Sequence, residues 1–240
     1  MHLDLEGRTI VVTGGTGALG TSVVEELINE GARCAVPCYS SKDLDKFPFK
    51  DDDRIYLENN IDLTDEAQTE EFYNRVFEQV GPIWASIHTA GGFGMGSIEE
   101  TTLENFQNLM KINMVTCFNS SRAAVEQMLK TNPSAGRIVN VSARPALEPR
   151  QGAKLTAYTA SKAAVAAFTE SLAAEVISES ILVNAVAPNI IDTPANREAM
   201  ANADFIKWAK PLDISRQILY LVSPRNRATR GAVIPVYGRG

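Results

Sequence analysis

A tyrosine and a lysine four residues apart, Tyr158 and Lys162, are the side chains in this chain best suited to moving a proton. At this spacing in a helix, the two side chains project from adjacent turns of one face. A free phenol has a pKa of about 10, which makes it a poor acid or base at neutral pH. We expect the nearby ammonium charge to favour the phenolate and lower that pKa. The pair would then exchange a proton with a substrate oxygen near neutral pH.

A glycine-rich turn near the N-terminus indicates phosphate binding. The segment Gly15–Gly20 fits the pattern G-x-G-x-x-G and lies between an apolar strand and an amphipathic helix. Glycines let the backbone approach a pyrophosphate closely, and the helix N-terminus offers free N–H groups. The turn therefore predicts a dinucleotide site, the alternative being a tight turn without a ligand. Its candidate residues are Gly14, Gly15, Thr16, Gly17, Ala18, Leu19 and Gly20.

The residues after the second predicted strand bear on which dinucleotide is bound. NAD-binding folds place a carboxylate there to hold the adenosine ribose, but here the first carboxylate is Asp43. Hydroxyls and a lysine stand in its place, and they would receive a 2′-phosphate without repulsion. We expect NADP(H) as the preferred cofactor, with NAD(H) as the alternative. The candidate residues are Tyr39, Ser40, Ser41 and Lys42.

Short apolar runs alternate with longer amphipathic segments along the whole chain, which is typical of an α/β protein. The predicted strands are Thr9–Thr13, Cys34–Cys38, Arg54–Glu58, Ile83–His88, Arg137–Val141, Ile181–Val186 and Ala232–Val236. The predicted helices are Leu19–Asn29, Thr64–Val80, Leu103–Met128 with a bend near Ile112, and Thr156–Ile177.

These elements predict a single domain over residues 1–240, built on a Rossmann-type doubly wound parallel sheet of about seven strands with helices on both faces. Residues 189–213 are predicted to form a short helical lid over a pocket. No element is assigned between that lid and the last strand.

Further motifs follow the glycine-rich turn, and their order resembles that of the short-chain dehydrogenase/reductase family over nearly the whole chain. Asp62 is similar to the family's adenine-contacting aspartate, with Leu63 beside it. The segment His88–Gly91 resembles the family's Asn-Asn-Ala-Gly motif with both asparagines replaced, and it adds Ala90 and Gly91 as cofactor-binding candidates.

The remaining matches concern the reaction itself. Asn113 is similar to the family's helix asparagine, and Tyr158 and Lys162 resemble its Y-x-x-x-K motif. The segment Pro188–Thr193 resembles P-G-x-x-x-T with asparagine for the glycine. It adds Pro188, Ile191 and Thr193 to the cofactor candidates.

The resemblance implies hydride transfer between a nicotinamide and a carbonyl or alcohol carbon. It implies that Tyr158 donates a proton to the developing alkoxide and that Lys162 lowers its pKa and holds the nicotinamide ribose. It further implies that Asn113 bends its helix and anchors a water, and that Thr193 orients the carboxamide.

The family's catalytic serine is the least regular match. Where the family often has two serines, this chain has Ser142 followed by Ala143. Ser142 is our candidate for the missing hydroxyl. The alternative is a site without a serine, as in dihydropteridine reductases, which reduce a quinonoid ring and have a similar Ala-Gly-Gly. An alternative of another class is a nucleotide-binding regulator that has lost turnover.

The loop before the tyrosine gives a first indication of the substrate. Arg144, Arg150 and Lys154 lie there with only Glu148 as a counter-charge, which suggests an anionic substrate such as an acyl thioester, or else a solvated loop of mixed charge. Apolar pocket candidates are Phe93, Met95 and Trp208, which are core residues in the alternative interpretation.

Bulk properties restrict the partners. The net charge of −6 and the lack of a basic stripe argue against nucleic acid, and no apolar run is long enough to span a membrane. Three cysteines and two histidines indicate reduced thiols, a cytoplasmic location and no metal site. Alanine-rich faces on two long helices, which pair across a two-fold axis in the resembling family, imply a homotetramer or homodimer.

Overall fold

Seven parallel strands form one sheet in the order β3-β2-β1-β4-β5-β6-β7. The computed structural model describes residues 3–131 and 135–240. Its strands are β1 Thr9–Thr13, β2 Arg33–Cys38, β3 Ile55–Asn59, β4 Ile83–His88, β5 Gly136–Val141, β6 Ile181–Pro188 and β7 Val233–Val236. The chain runs outward from β1 to β3 and then returns to β4, so the strand order reverses between β1 and β4. In sheets of this kind, ligands bind outside the carboxyl ends of the strands at that reversal.

Helices cover both faces of the sheet. They are α1 Ala18–Asn29, α2 Ser41–Leu44, α3 Glu66–Gln79, α4 Leu103–Met110, α5 Thr116–Leu129, α6 Arg144–Leu147, α7 Thr156–Glu175, α8 Pro194–Ala199 and α9 Pro211–Val222. Helices α1 and α9 share one core layer with apolar residues of the central strands. Helices α3, α5 and α7 form the layer on the other face. Because both faces are covered, β1 and β6 are buried along their whole length.

The predicted doubly wound parallel sheet with helices on both faces is confirmed. The predicted strands lie within two residues of the observed ones, and β1 and β4 have the predicted bounds. The bend expected near Ile112 is a π-helical turn, Lys111–Val115, which separates α4 from α5. Such turns often occur at functional sites.

The C-terminal quarter of the chain differs from the prediction. The lid expected over 189–213 contains α8 and a 3₁₀ turn at Phe205–Lys207, but α9 begins inside it at Pro211. That helix was not predicted, although Pro211 at its first turn and the buried Ile214 and Ile218 are ordinary helix signals. The short helices α2 and α6 were also not predicted.

The fold brings the carboxyl ends of all seven strands to one edge of the sheet. These ends are Thr13, Cys38, Asn59, His88, Val141, Pro188 and Val236. The glycine-rich turn, the predicted serine and the predicted lid all follow directly from them. Among the described residues, no helix is long and apolar enough to cross a membrane, and no three His, Cys, Asp or Glu side chains are grouped to hold a metal ion.

Candidate active site

A crevice of about 570 Å³ lies at the reversal point, over the carboxyl ends of β1 to β4. Its lining residues come from several loops and from the turn after α4. They are Gly14, Thr16, Gly17, Pro37, Tyr39, Asp43, Ile61, Asp62, Leu63, Thr64, Thr89, Ala90, Gly91, Asn108, Lys111, Ile112 and Thr116. Eight of the predicted cofactor residues are thereby brought together: Gly14, Thr16, Gly17, Tyr39, Asp62, Leu63, Ala90 and Gly91.

The glycine-rich turn has the backbone shape that a bound dinucleotide requires. Gly14 has φ +67°, and a Cβ there would lie 2.6 Å from the backbone nitrogen of Ala90. Gly17 precedes α1, whose first N–H groups have no side-chain cap. A Cβ at Gly20 would overlap the carbonyl oxygen of Gly14. The turn therefore fits a pyrophosphate held by backbone N–H groups at a helix N-terminus.

Four predicted members of this turn do not line the crevice: Gly15, Ala18, Leu19 and Gly20. Gly15 and Gly20 serve packing instead, since a Cβ at Gly15 would lie 2.8 Å from the Val36 side chain. Some glycines of the pattern thus let a ligand approach the backbone, and others let α1 pack closely against the strands.

The loop after β2 differs in detail from the expectation. Tyr39 is 71% exposed and lines the crevice, but Ser40, Ser41 and Lys42 do not. The Ser40 hydroxyl accepts a hydrogen bond from the backbone N–H of Lys42 and caps α2. Asp43 is the charged residue of this loop that lines the crevice. Sequence reasoning noted Asp43 only as the first carboxylate and did not place it in the site.

Asp62 is held in place at the edge of the crevice. Its Oδ1 accepts hydrogen bonds from the backbone N–H of Thr64 at 2.9 Å and from the Thr64 hydroxyl at 2.7 Å. The Leu63 carbonyl accepts a bond from the Asn119 side chain, which ties this loop to α5. Asp62 is therefore oriented before any ligand binds.

A set of crevice residues was not predicted from the sequence: it lies on one helix face, which runs from the end of α4 into the turn after it. Asn108, Lys111 and Ile112 all line the crevice. They are spaced i, i+3, i+4 and so share a helix face. The signal was available in the sequence, because the predicted helix asparagine, Asn113, follows them directly. Lys111 brings a positive charge to a crevice that also contains two carboxylates.

Three consecutive residues, 91–93, lie against three of the four predicted catalytic side chains, with Ser142 as the exception. A Cβ at Gly91 would lie 2.5 Å from Oδ1 of Asn113 and 3.3 Å from Nζ of Lys162, so only a glycine fits there without displacement. The Phe93 ring packs edge-on against Tyr158, with ring centroids 5.1 Å apart. The loop after β4 thus brings Asn113, Tyr158 and Lys162 together beside the crevice.

Hydrogen bonds to both polar atoms of its side chain hold Asn113 in place. Its Oδ1 accepts from the Gly92 N–H at 2.9 Å, and its Nδ2 donates to the Gly92 carbonyl and to Ser161 Oγ, both at 3.0 Å. Ser161 in turn donates to the carbonyl of Tyr158. This network joins the π-helical turn, the loop after β4 and α7 into one unit.

The pKa values differ from the sequence expectation. Burial raises the pKa of Tyr158 to about 12. Burial lowers the pKa of Lys162 to about 8, and its Nζ donates to the Val141 carbonyl at 2.9 Å. The expected lowering of the phenol pKa by the lysine is therefore absent from this geometry, because desolvation exceeds any effect of the neighbouring charge.

Ser142 does not present its hydroxyl to the site. It is 2% exposed, and its Oγ donates to the Lys162 carbonyl at 2.8 Å. Its neighbour Ala143 is also buried and has no hydroxyl. The predicted serine hydroxyl thus contacts the backbone of α7 at the predicted catalytic lysine.

The predicted residues after β6 lie outside the crevice lining. Pro188 ends β6, and Ile191 forms a bridge with Ala209 across the lid. The Thr193 oxygen accepts from the Asn196 N–H and caps α8.

Two of the apolar pocket candidates remain on the surface. Phe93 and Met95 are 66% and 73% exposed, whereas Trp208 is buried and packs at a tilt against Phe205, with ring centroids 4.8 Å apart. Trp208 therefore belongs to the core of the lid.

A second polar cluster is centred on His88 beneath the strand ends. Its Nδ1 lies 2.7 Å from Asn140 Oδ1, and its Nε2 lies 2.8 Å from Ser86 Oγ, which contacts the Tyr73 hydroxyl. Nδ2 of Asn140 in turn donates a hydrogen bond to the Thr169 hydroxyl on α7. An amide oxygen can only accept, so the neutral ring carries its proton on Nδ1. Burial lowers the pKa of His88 to about 4.

Known proteins resemble this chain over almost its full length. A 3-oxoacyl-[acyl-carrier-protein] reductase of Thermotoga maritima is 28% identical, with 98% of each chain covered. A blue fluorescent protein from a metagenomic library, solved with NADPH, has a TM-score of 0.87 and 27% identity, with 99% of each chain covered. The structure of ElxO with NADP bound has the same TM-score at 23% identity, covering 96% of this chain and 97% of its own.

The short-chain dehydrogenase family model matches residues 8–204, a span that includes the crevice, Asn113, Tyr158 and Lys162. With the parallel sheet and its nucleotide-type turn, this match places the protein in the short-chain dehydrogenase family of oxidoreductases.

Proposed function

We propose that this protein transfers hydride between NADP(H) and a carbonyl or alcohol carbon, with Tyr158 as the proton donor or acceptor. The observation that carries the proposal is the convergence of Asn113, Tyr158 and Lys162 on segment 91–93 beside the crevice. A protein that only binds nucleotide needs no such arrangement of proton-carrying groups.

Each reactive side chain has a distinct role. Tyr158 keeps its proton at neutral pH. A developing alkoxide is a stronger base than the phenolate, so the proton would pass from Tyr158 to it. Lys162 remains largely cationic at neutral pH, and its Nζ, which lies behind Gly91, would hold a hydroxyl of the nicotinamide ribose. Asn113 fixes the distance between the loop after β4 and α7. When bound, the nicotinamide supplies or accepts the hydride.

We further propose that NADP(H) is preferred, with the loop Tyr39–Lys42 nearest the 2′-phosphate. A similar solved structure at 27% identity is a complex with NADPH, which supports this choice. Asp43 opposes it, because a carboxylate facing the crevice repels a phosphate. Asp43→Asn is expected to increase the ratio of kcat/KM for NADPH over NADH, and Lys42→Glu to decrease it. A tenfold preference of the unaltered protein for NADH would contradict the proposal.

A serine-independent reduction, such as that of a quinonoid ring, is a second candidate. The observation that favours it is the position of Ser142, whose hydroxyl is bonded to the Lys162 carbonyl, next to the apolar Ala143. A ring that is reduced without forming an alkoxide needs no second hydroxyl donor.

One assay separates these candidates. NADPH oxidation is followed with a panel of ketones and with a quinonoid pterin. Turnover of ketones supports the first candidate, and turnover of the pterin alone supports the second. If calorimetry detects nucleotide binding but no member of the panel is reduced with either cofactor, the enzymatic proposal fails and the protein is a nucleotide-binding regulator.

We propose an even-numbered homo-oligomer, tetramer or dimer, in a reducing, cytoplasmic compartment. Helices α5 and α7 meet through Phe118 and Phe168, and Val115 and Phe118 are partly exposed on that surface. The three cysteines are buried and unpaired, which suits a reducing environment. A monomer by light scattering at micromolar concentration would contradict the oligomer.

A further inference from the structure

The strand order defines where the body of a substrate must lie. The crevice covers the ends of β1 to β4, and Lys162 bonds to the last residue of β5, Val141. With a nucleotide in the crevice, the ends of β5, β6 and β7 are the part of this sheet edge left for the body of a substrate that meets Tyr158. The side chains that lie over the ends of these three strands would determine which substrates bind.

Arg144 spans these strand ends. It begins α6, three residues after the end of β5, and its guanidinium carbon lies 4.8 Å from the ring centroid of Tyr237, the residue after β7. The strand between them, β6, pairs with β7 through Pro188 and Val236. The Arg144–Tyr237 contact thus crosses the end of β6.

The guanidinium is held in place while its terminal amino groups stay available. Nε donates to Glu148 Oε2 at 3.0 Å, and the Tyr237 ring lies against the guanidinium plane. Across residues 3–131 and 135–240, no hydrogen bond is found for either terminal amino group of Arg144. Its side chain is 28% exposed, so part of it remains accessible to a ligand. A guanidinium fixed in this way can bind a carboxylate through two parallel N–H···O bonds.

Charge narrows the class of ligand. Glu148 balances one positive charge, so the Arg144–Glu148 pair is neutral as a whole. The other cations of this loop, Arg150 and Lys154, are exposed and have no ion pair within the described part of the chain. A neutral pair with one free donor edge suits a monoanion better than a phosphate dianion, which requires more positive charge.

We propose that Arg144 binds a carboxylate of the substrate, so that keto acids and the corresponding hydroxy acids are the preferred substrates. This inference rests on the proposed function, since it assigns the anionic group of a molecule whose carbonyl meets Tyr158. Tyr237 and Glu148 are positioning residues for the guanidinium.

The test compares a keto acid with its methyl ester, which differ in the carboxylate alone. Arg144→Gln is expected to lower kcat/KM for the acid at least about tenfold, mainly through KM, and to leave the ester within threefold. Glu148→Gln keeps an acceptor for Nε but removes the competing charge, so it is expected to lower KM for the acid. Arg150→Gln is the matched control on the same loop and is expected to change neither substrate.

Equal losses for acid and ester in Arg144→Gln, or a loss of acid affinity in Glu148→Gln, would overturn the proposal, since both are results of a purely structural role. If no ketone is turned over by the unaltered protein, calorimetry of the keto acid with the NADP⁺-saturated protein decides separately. If the unaltered protein binds the keto acid and Arg144→Gln weakens that binding tenfold, the carboxylate site stands even though the proposed function fails. If the substitution leaves the binding unchanged, or if the unaltered protein does not bind the keto acid, there is no carboxylate site at Arg144.

Discussion

The His88 cluster and the Tyr158–Lys162 cluster are similar in burial but differ in access. His88 and Lys162 are 3% and 6% exposed, and burial lowers the pKa of both. The partners of His88 are neutral side chains of β4, β5 and α5 that surround it completely. Lys162, by contrast, lies beside Gly91, a residue of the crevice wall.

The comparison shows that a shifted pKa alone does not identify a reactive group. Buried hydrogen-bond networks within a core also shift pKa values. What distinguishes the second cluster is its position behind Gly91 in the crevice wall, where a Cβ would lie 3.3 Å from the Lys162 ammonium. We therefore expect changes near Lys162 to affect activity, and changes at His88 to affect stability.

The largest contrast is expected between Lys162→Met and His88→Gln. In the proposed mechanism, loss of the ammonium removes the charge that would hold the nicotinamide ribose beside Tyr158, so kcat/KM should fall about a thousandfold, within the range for acid–base groups. His88→Gln should stay within threefold. Steady-state kinetics with a substrate found in the panel measures both values, and equal losses in the two variants would contradict the comparison.

The pH dependence of the free energy of unfolding should be affected by the His88 cluster, in contrast to activity, which should depend on the Lys162 cluster. The folded protein holds His88 neutral down to about pH 4, whereas the unfolded chain takes up this proton near pH 6.5. The contribution of His88 is therefore complete above pH 6.5 and decreases as pH falls toward 4. At about 1.4 kcal/mol per pKa unit, the loss is about 3 kcal/mol.

Urea unfolding of the unaltered protein and of His88→Gln between pH 7 and 4 measures this term. A glutamine does not titrate, so the difference in slope belongs to His88. Parallel curves would show that the ring titrates in the folded protein as it does in the unfolded chain.

A smaller effect on activity is expected from Gly91→Ala. The added Cβ would lie 2.5 Å from Asn113 Oδ1, so the amide or the loop must move away from Lys162. We expect kcat/KM to fall about thirtyfold, because displacements of about 1 Å in a site can cost about a hundredfold. Gly96→Ala is the matched control, since its Cβ would lie 3.2 Å from the Thr101 hydroxyl and is remote from the cluster. Similar losses in both variants would indicate a general effect on the loop.

The smallest effect is expected from Ser142→Ala. It removes the hydrogen bond from Ser142 to the Lys162 carbonyl, which corresponds to about 1 kcal/mol of unfolding free energy. We expect kcat/KM to stay within threefold, as determined with ketone substrates. A loss of tenfold or more in kcat/KM would show that the Ser142 hydroxyl contacts the substrate during the reaction and would contradict our account of Ser142.

The sequence alone was sufficient for features that depend on local patterns. Apolar runs predicted the strands, and the spacing of Tyr158 and Lys162 predicted a shared helix face. The glycine-rich turn was predictable because both its backbone shape and its flanking elements are encoded within a dozen residues.

Features that depend on contacts between distant segments were not predictable in the same way. The Phe93–Tyr158 contact joins residues 65 positions apart, and no motif signals it. The pKa of Tyr158 was predicted in the wrong direction, because a spacing rule gives the neighbouring charge but not the burial. The bond that holds Ser142 likewise depends on how α7 packs against the end of β5.

The most direct test of the account is the single-turnover rate of nicotinamide oxidation in the Tyr158→Phe variant, saturated with NADPH and mixed with a substrate found in the panel. We expect the dissociation constant of NADPH to stay within twofold, because the ring and its contact with Phe93 remain, and the rate to fall at least about a hundredfold, because the proton donor is gone. A rate equal to that of the unaltered protein would show that another group supplies the proton and would contradict the role assigned to Tyr158.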